Sequence, residues 1–237
     1  MAWNFSEQIH ALTGFDAASD EDSETGEDFR VLSAQWLTDA AREVINILPP
    51  KLKMECATIT SLTSSTPMDL DATGEIFHAT RENADSGYHI GCREVAPIYA
   101  GSAEDSTSLH YVTATDPIYW TESDTGGDPK LFVKPNPTDN QPARVHHVSF
   151  PSIAYDATAI VNFPNEAEYL VVLRAAISAA QYLLAIEEDT ELYAPIISNL
   201  KSSYQEGVYA IKVGNFSAPS KNVQVATKDD EWQQRIL

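Results

Sequence analysis

Six histidines, two cysteines and 35 carboxylates are the residues of this 237-residue chain suited to metal binding or acid–base work. His146 and His147 are adjacent in a run that reads as a strand, so they point to opposite faces and do not chelate one ion together. If a hairpin pairs Glu82 with Tyr88, His78 stands opposite Cys92, which makes two ligands of a zinc site. Zinc takes at least three protein ligands, and the sequence sets no further Cys or His beside these two. Carboxylates in this number supply chance pairs, which without a pocket or a perturbed pKa define no general acid or base. The chain has no phosphate-binding glycine loop, nucleophile elbow, paired-histidine helix motif or calcium loop, and no Ser-His-Asp arrangement is favoured. The expectation is no catalytic residue, no cofactor and no metal centre. One binding chemistry stays open: Tyr88, Tyr111, Tyr119 and Trp120 at strand spacing would stack on a glycan if they share an exposed face, and otherwise serve as core.

Charge narrows the function classes. Fifteen basic residues against 35 acidic ones give a net charge of -20. Nucleic-acid binders gain most of their affinity from Lys and Arg that displace counterions from phosphates, so this balance argues against one. Two cysteines, Cys56 and Cys92, are too few for a disulfide framework or a cysteine-based zinc site and are expected to be reduced and partly buried. No Lys or Arg precedes Arg30, which is not the charge pattern of a secretory leader. The most apolar run, 169–173, ends at Arg174, short of the roughly 20 apolar residues of a membrane span. A soluble, non-secreted chain with no membrane partner is expected.

The elements that would hold these residues alternate in character along the chain. Ser6 is the expected N-cap of a short helix with Ile9 and Leu12 on one face and Gly14 as its stop, docked through Trp3, Phe5 and Phe15. Residues 16–28 hold Asp16, Asp20, Glu21, Asp22, Glu24, Glu27 and Asp28 and no basic residue, the composition of a solvated loop. Leu32, Trp36, Leu37, Ala40, Ala41, Val44, Ile45 and Leu48 recur at helical spacing until Pro49-Pro50 ends the helix. Short runs rich in Thr, Ile, Tyr, Val and Phe follow, with strands expected at 56–62, 75–82, 88–95, 109–113, 118–122, 130–134 and 144–149. Turns at 83–87 and 123–129 close two hairpins, and the close succession of strands suggests an antiparallel meander.

Pro164 is expected at the first helical position of a long helix reaching about residue 187, with Glu166 and Glu168 complementing its positive end. Leu170, Val171, Val172, Leu173, Ala175, Ala176, Ile177, Ala179, Ala180, Leu183 and Leu184 cover more than one of its faces, so it must be buried by several neighbours, among which other subunits can serve. Asp189 or Thr190 caps a second helix with the stripe Ile196, Ile197, Leu200, Tyr204 and Val208. The fold class is α+β: a helical bundle (33–50 and 162–213) with an antiparallel β-rich region (51–161) inserted between its first long helix and its two C-terminal helices. An N-terminal helix and acidic loop (1–32) precede it. A thinly apolar tail (214–237) follows, to be ordered only by a partner.

The segment from Phe163 to Ile177, an acidic, Tyr-containing helix start leading into an Ala-rich apolar helix, is similar to the penultimate helix of a recurrent class of virion structural proteins in tailed bacteriophages. Thr115-Asp116-Pro117-Ile118-Tyr119-Trp120 with its following hairpin, the Phe150-Pro151 turn and the proline-ended helix 34–48 are also similar. Together they span about 33 to 205. In these pieces the chain resembles head-to-tail adaptor, or connector, proteins, including the tail-tubular type. The resemblance implies a homo-oligomeric ring, typically of twelve copies, in the virion neck. Such a ring lies beneath the portal protein and above a stopper, nozzle or tail protein, and genomic DNA passes through it without specific binding. It also implies a C-terminal segment that wedges into the portal, for which Lys228, Trp232, Arg235, Ile236 and Leu237 are the expected contacts. The protein would be made in the host cytoplasm. Another neck or tail-completion protein, such as a stopper, and a β-domain ligand-binding module are the competing readings. The acidic loop 16–28 has no counterpart in the family pattern.

Overall fold

The computed structural model describes residues 3–17, 28–71, 73–83 and 87–214; most of the acidic segment and nearly all of the tail lie outside them. Helix α1 spans Phe5–Thr13 and is capped by Asn4, whose side chain accepts from the Glu7 backbone N–H while the Glu7 carboxylate accepts from the Asn4 N–H. This reciprocal box satisfies two orphan donors at once, which is why the cap falls at Asn4 and not at Ser6. Phe5, Ile9 and Phe15 are buried as expected, but Leu12 and Trp3 lie at the rim, 39% and 44% exposed. Gly14 ends the helix with φ of 78°, a left-handed stop that favours glycine.

Helix α2, Phe29–Ile47, begins four residues before the expected boundary because Asp28 accepts from the Arg30 N–H. Its apolar stripe is the expected one, with Leu37, Ala40, Ala41, Val44 and Ile45 buried. Trp36 stacks among Phe15 and Tyr182, so it is a packing aromatic. Pro49 precedes a single turn, α3, Pro50–Lys53. At the other end of the chain a 3-10 turn over Asn165–Ala167, capped by Pro164, feeds helix α4, Glu168–Glu187. Glu188 then takes φ of 55° and Asp189 caps helix α5, Thr190–Val213, by accepting from the Leu192 N–H.

Helix α4 is the centre of the bundle, packed on α1, α2 and α5. Leu170, Val171, Val172, Ala175, Ala176, Ile177, Ala179 and Ala180 are buried there, whereas Leu173, Leu183 and Leu184 are only partly buried. With its lead-in turn, Asn165–Glu187, the helix is long and apolar enough by composition to cross a membrane, at a mean hydropathy of 1.7. The length of its uninterrupted run understated this. It packs on three other helices, which bury eight of its apolar residues. Helix α5 comes close at Gly207, where a Cβ would meet Tyr169 Oη at 2.5 Å and Leu170 Cδ2 at 2.6 Å.

The inserted region forms two four-stranded sheets. Its strands are β1 (Ala57–Leu62), β2 (Met68–Asp69), β3 (Thr73–Glu82), β4 (His89–Gly91), β5 (Arg93–Glu94), β6 (Ile118–Ser123), β7 (Pro129–Lys134) and β8 (Ala143–Ser149). The first sheet has the order β1-β8-β3-β4 and the second β2-β7-β6-β5. Both expected hairpins form, β3 with β4 and β6 with β7. The simple meander does not, because β8 inserts between β1 and β3 and because β5 runs parallel to β6. The expected strand at 88–95 is broken into β4 and β5, one in each sheet, and β2 was not anticipated. Residues 109–113 are not a strand. Leu109 is fully exposed, and Val112 packs with Ala103 and Val95 as a cover over the outer face of the second sheet.

The sheets face each other across a core of Met68, Ala79, Tyr119, Leu131, Val133, Ala143 and Val145. Ile118 and Trp120 point the other way, under the 95–112 cover. The first sheet joins the bundle through Cys56 and Val148, which belong to the same core as α1, α2, α4 and α5.

Candidate functional site

The register of the first hairpin decides the fate of the histidines. Glu82 pairs with His89 and Thr80 with Gly91, one residue away from the expected Glu82–Tyr88 pairing. Cys92 accordingly donates its backbone N–H to Ala79 O, and His78 does not face it. A slip of one residue moves every side chain to the other face, which dissolves the two-ligand arrangement. His78 instead pairs across β8 with His146, the rings stacked at 4.1 Å and 17°. His147 points the opposite way, as alternation requires, and is buried with Nε2 at 2.9 Å from Thr60 Oγ1. Burial first, then His78, Arg144, His89 and His147, hold the His146 pKa below its ordinary value. His89 stands near Glu82, at 3.7 Å. Among the described residues no group of three His, Cys, Asp or Glu is placed to hold a metal ion.

Arg81 is the charged residue that the sequence reading missed. Only 4% exposed, it donates to the carbonyl oxygens of Pro135 at 2.9 Å, Asn136 at 3.3 Å and Glu82 at 3.3 Å, and to Gln141 Oε1 at 2.7 Å. The guanidinium fork fastens the loop between β7 and β8 to β3, and burial lowers its pKa. The signal was legible: Arg81 shares the inward parity of Ala79. Both thiols are poor nucleophiles, since burial pushes Cys56 up to about 11 and Cys92 up to about 12.

The four aromatics considered for glycan stacking do not converge. Tyr119 and Trp120 are buried on opposite faces of β6, the first donating to Glu94 and the second stacked on Phe132 at 5.3 Å, whereas Tyr88 and Tyr111 are exposed elsewhere. A cavity of about 320 Å³ opens where Leu62 and residues 64–67 meet Phe132, Val133, Lys134, Asn136 and Pro137. Its one charged group, the Lys134 ammonium, is bonded to Glu104, so it offers no acid–base pair.

In the bundle, Glu43 of α2 accepts from Arg174 Nε of α4 at 2.7 Å and from Tyr204 Oη of α5 at 3.1 Å, and Arg174 also reaches Ser178. Arg174 was visible only as the break in an apolar run; its partners could not be read. This network ties three helices and leaves a half-exposed polar surface. The expected portal contacts Lys228, Trp232, Arg235, Ile236 and Leu237 lie outside the described residues. No protein-family model matches the chain, and no curated protein matches it.

Proposed function

We infer that this chain is a structural protein of a tailed-phage virion, the head-to-tail adaptor that links capsid to tail. The observation that carries this reading is the coincidence of the resembling segments with one architecture. The Phe163–Ile177 segment leads into and forms the first half of the central helix α4, the early proline-ended helix packs on it as α2, and a β region lies between the two in sequence. The net charge of -20 supports a ring lumen that repels phosphate and lets DNA slide. The apolar residues of α4 that α1, α2 and α5 bury carry no weight for a ring. In this role twelve copies sit in the neck beneath the portal protein and above a stopper, nozzle or tail protein. No catalytic step and no cofactor is involved. Lys228, Trp232, Arg235, Ile236 and Leu237 engage the portal, with Trp232 as an interface anchor.

The test is assembly. Purified protein mixed with portal-bearing heads should form a ring beneath the portal in electron micrographs. Attachment to isolated tails and not to portals would transfer the protein to the stopper or tail-completion class. A chain ending at Lys228 should keep its circular-dichroism spectrum and lose incorporation, and normal incorporation would refute the assignment of Trp232, Arg235, Ile236 and Leu237.

A further inference from the structure

The four sheet edges are unequal. Strands β2 and β5 are two residues long and carry Asp69, Arg93 and Glu94, and β4 is three residues long. Short and charged edges are the usual protection against unwanted pairing. Strand β1 has neither device: Ala57-Thr58-Ile59-Thr60-Ser61-Leu62 is six residues long, uncharged, without proline and rich in β-branched side chains. Among the described residues, the backbone groups of Thr58–Leu62 bond only to β8, so the outward edge is open. Ile59, 56% exposed, stands on the outer face of this strand, and Val161, 80% exposed, precedes Asn162, whose amide reaches Thr58 Oγ1 at 3.5 Å.

The end of α5 runs past the start of α4, the part of the bundle that is tied to the chain beside β1. Gly207 packs against Tyr169 and Leu170 at the start of α4, and α5 runs on past Ile211 to Gly214, about 10 Å further at 1.5 Å per residue. The start of α4 is in turn tied to the chain beside β1: Ile160 donates to Glu168, and Asn162 touches Thr58. Seven residues separate Gly214 from Asn222, and the eight steps between them span about 26–29 Å when extended. Next comes Asn222-Val223-Gln224-Val225-Ala226-Thr227, the one alternating, β-branched run of the tail, free of charge and proline and flanked by Lys221 and Lys228.

We propose that residues 222–227 add to the open edge of β1 in the same chain as a fifth strand of the first sheet, with Val223 and Val225 beside Ile59. Main-chain hydrogen bonds supply the attachment and the valine–isoleucine contacts fix the register. The short tether keeps the strand at a high local concentration. The strand leaves residues 229–237 free beyond the sheet. No part of this depends on a phage partner, so its failure leaves the adaptor reading standing.

Amide hydrogen exchange of residues 58–62 tests it, comparing the full chain with a chain ending at Gly214. Alternate amides of β1 should exchange at least tenfold more slowly in the full chain, independent of protein concentration. Gln224→Pro with Val225→Pro, which removes the N–H of either pairing parity, should abolish that protection in the full chain while leaving its circular-dichroism spectrum unchanged. Equal exchange in the full, truncated and proline-substituted chains would overturn the proposal. So would protection that grows with concentration, which would assign the edge to a strand of a second copy.

Discussion

One continuous apolar core, centred on α4 and drawing on α1, α2, α5 and the end of the first sheet, holds the bundle, whereas the β region divides its apolar residues between two smaller clusters on either face of the second sheet. The bundle relies on small residues that let helices approach, with Ala175, Ala176, Ala179 and Ala180 buried on α4 and Gly207 facing it from α5. The β region relies on polar fastening, most of all the buried Arg81 that holds the loop between β7 and β8. The contrast teaches that the bundle should respond to changes in volume, and the β region to the loss of single hydrogen-bonding groups.

The largest effect should come from the centre of the bundle. Leu170→Ala and Ile177→Ala should each cost about 2–5 kcal/mol in denaturant unfolding, because both side chains are buried and leave cavities. Leu173→Ala should cost less, since Leu173 is only partly buried. Losses below about 0.5 kcal/mol at Leu170 and Ile177, the range of surface substitutions, would break the claim that α4 is central.

Arg81→Met strips four hydrogen bonds and should cost about 1–3 kcal/mol for the acceptors left unpaired. The signature that sharpens the comparison is locality. Amide exchange should rise in the strands and in the 135–141 loop while α2 and α4 keep their protection. Uniform acceleration across both regions would show them to be one cooperative unit.

Gly207→Ala sets a gain in helix propensity of about 1 kcal/mol against an overpacking cost of about 1–3 kcal/mol. A net loss of up to about 2 kcal/mol is expected. Tyr169→Phe in the same chain should recover part of it, because it removes the hydroxyl that the new methyl would meet first. No recovery would place the strain at Leu170.

The smallest effect is a pH slope. The folded His146 pKa lies below the ordinary 6.5, so its contribution to stability is full above 6.5 and is lost as pH falls through the lower folded value. Melting temperatures between pH 7 and 5 should therefore fall on acidification, and His78→Asn should flatten that fall by removing a neighbouring charge. Identical slopes would exclude the stacked pair as their source.

Reading the helices from the sequence succeeded where the cause is local. The stripe from Leu37 to Ile45, the stop at Pro49-Pro50 and the Asp189 cap act within a few residues of one another. Errors at helix ends came from choosing among nearby polar residues, Asn4 against Ser6 and Asp28 against later positions. In the β region the strands at 56–62, 75–82, 118–122, 130–134 and 144–149 were legible from composition, but their partners were not. The expected His78–Cys92 juxtaposition failed by one residue of register, and Tyr119 and Trp120, adjacent in sequence, went to different cores.

The sequence by itself determined the α+β class, the helix positions and the charge of -20, because helical hydrogen bonds close over four residues and charge is a sum over the chain. Only the tertiary structure decided that β8 lies between β1 and β3, that the His146 ring meets His78, that Arg81 is enclosed, and that Gly207 of α5 meets the start of α4. Strand pairing joins residues 81 or more positions apart in β1 and β8, and its two-residue period reverses every face on a single-step slip. Local sequence carries no term large enough to fix such a choice; the packing of the assembled sheets and helices does.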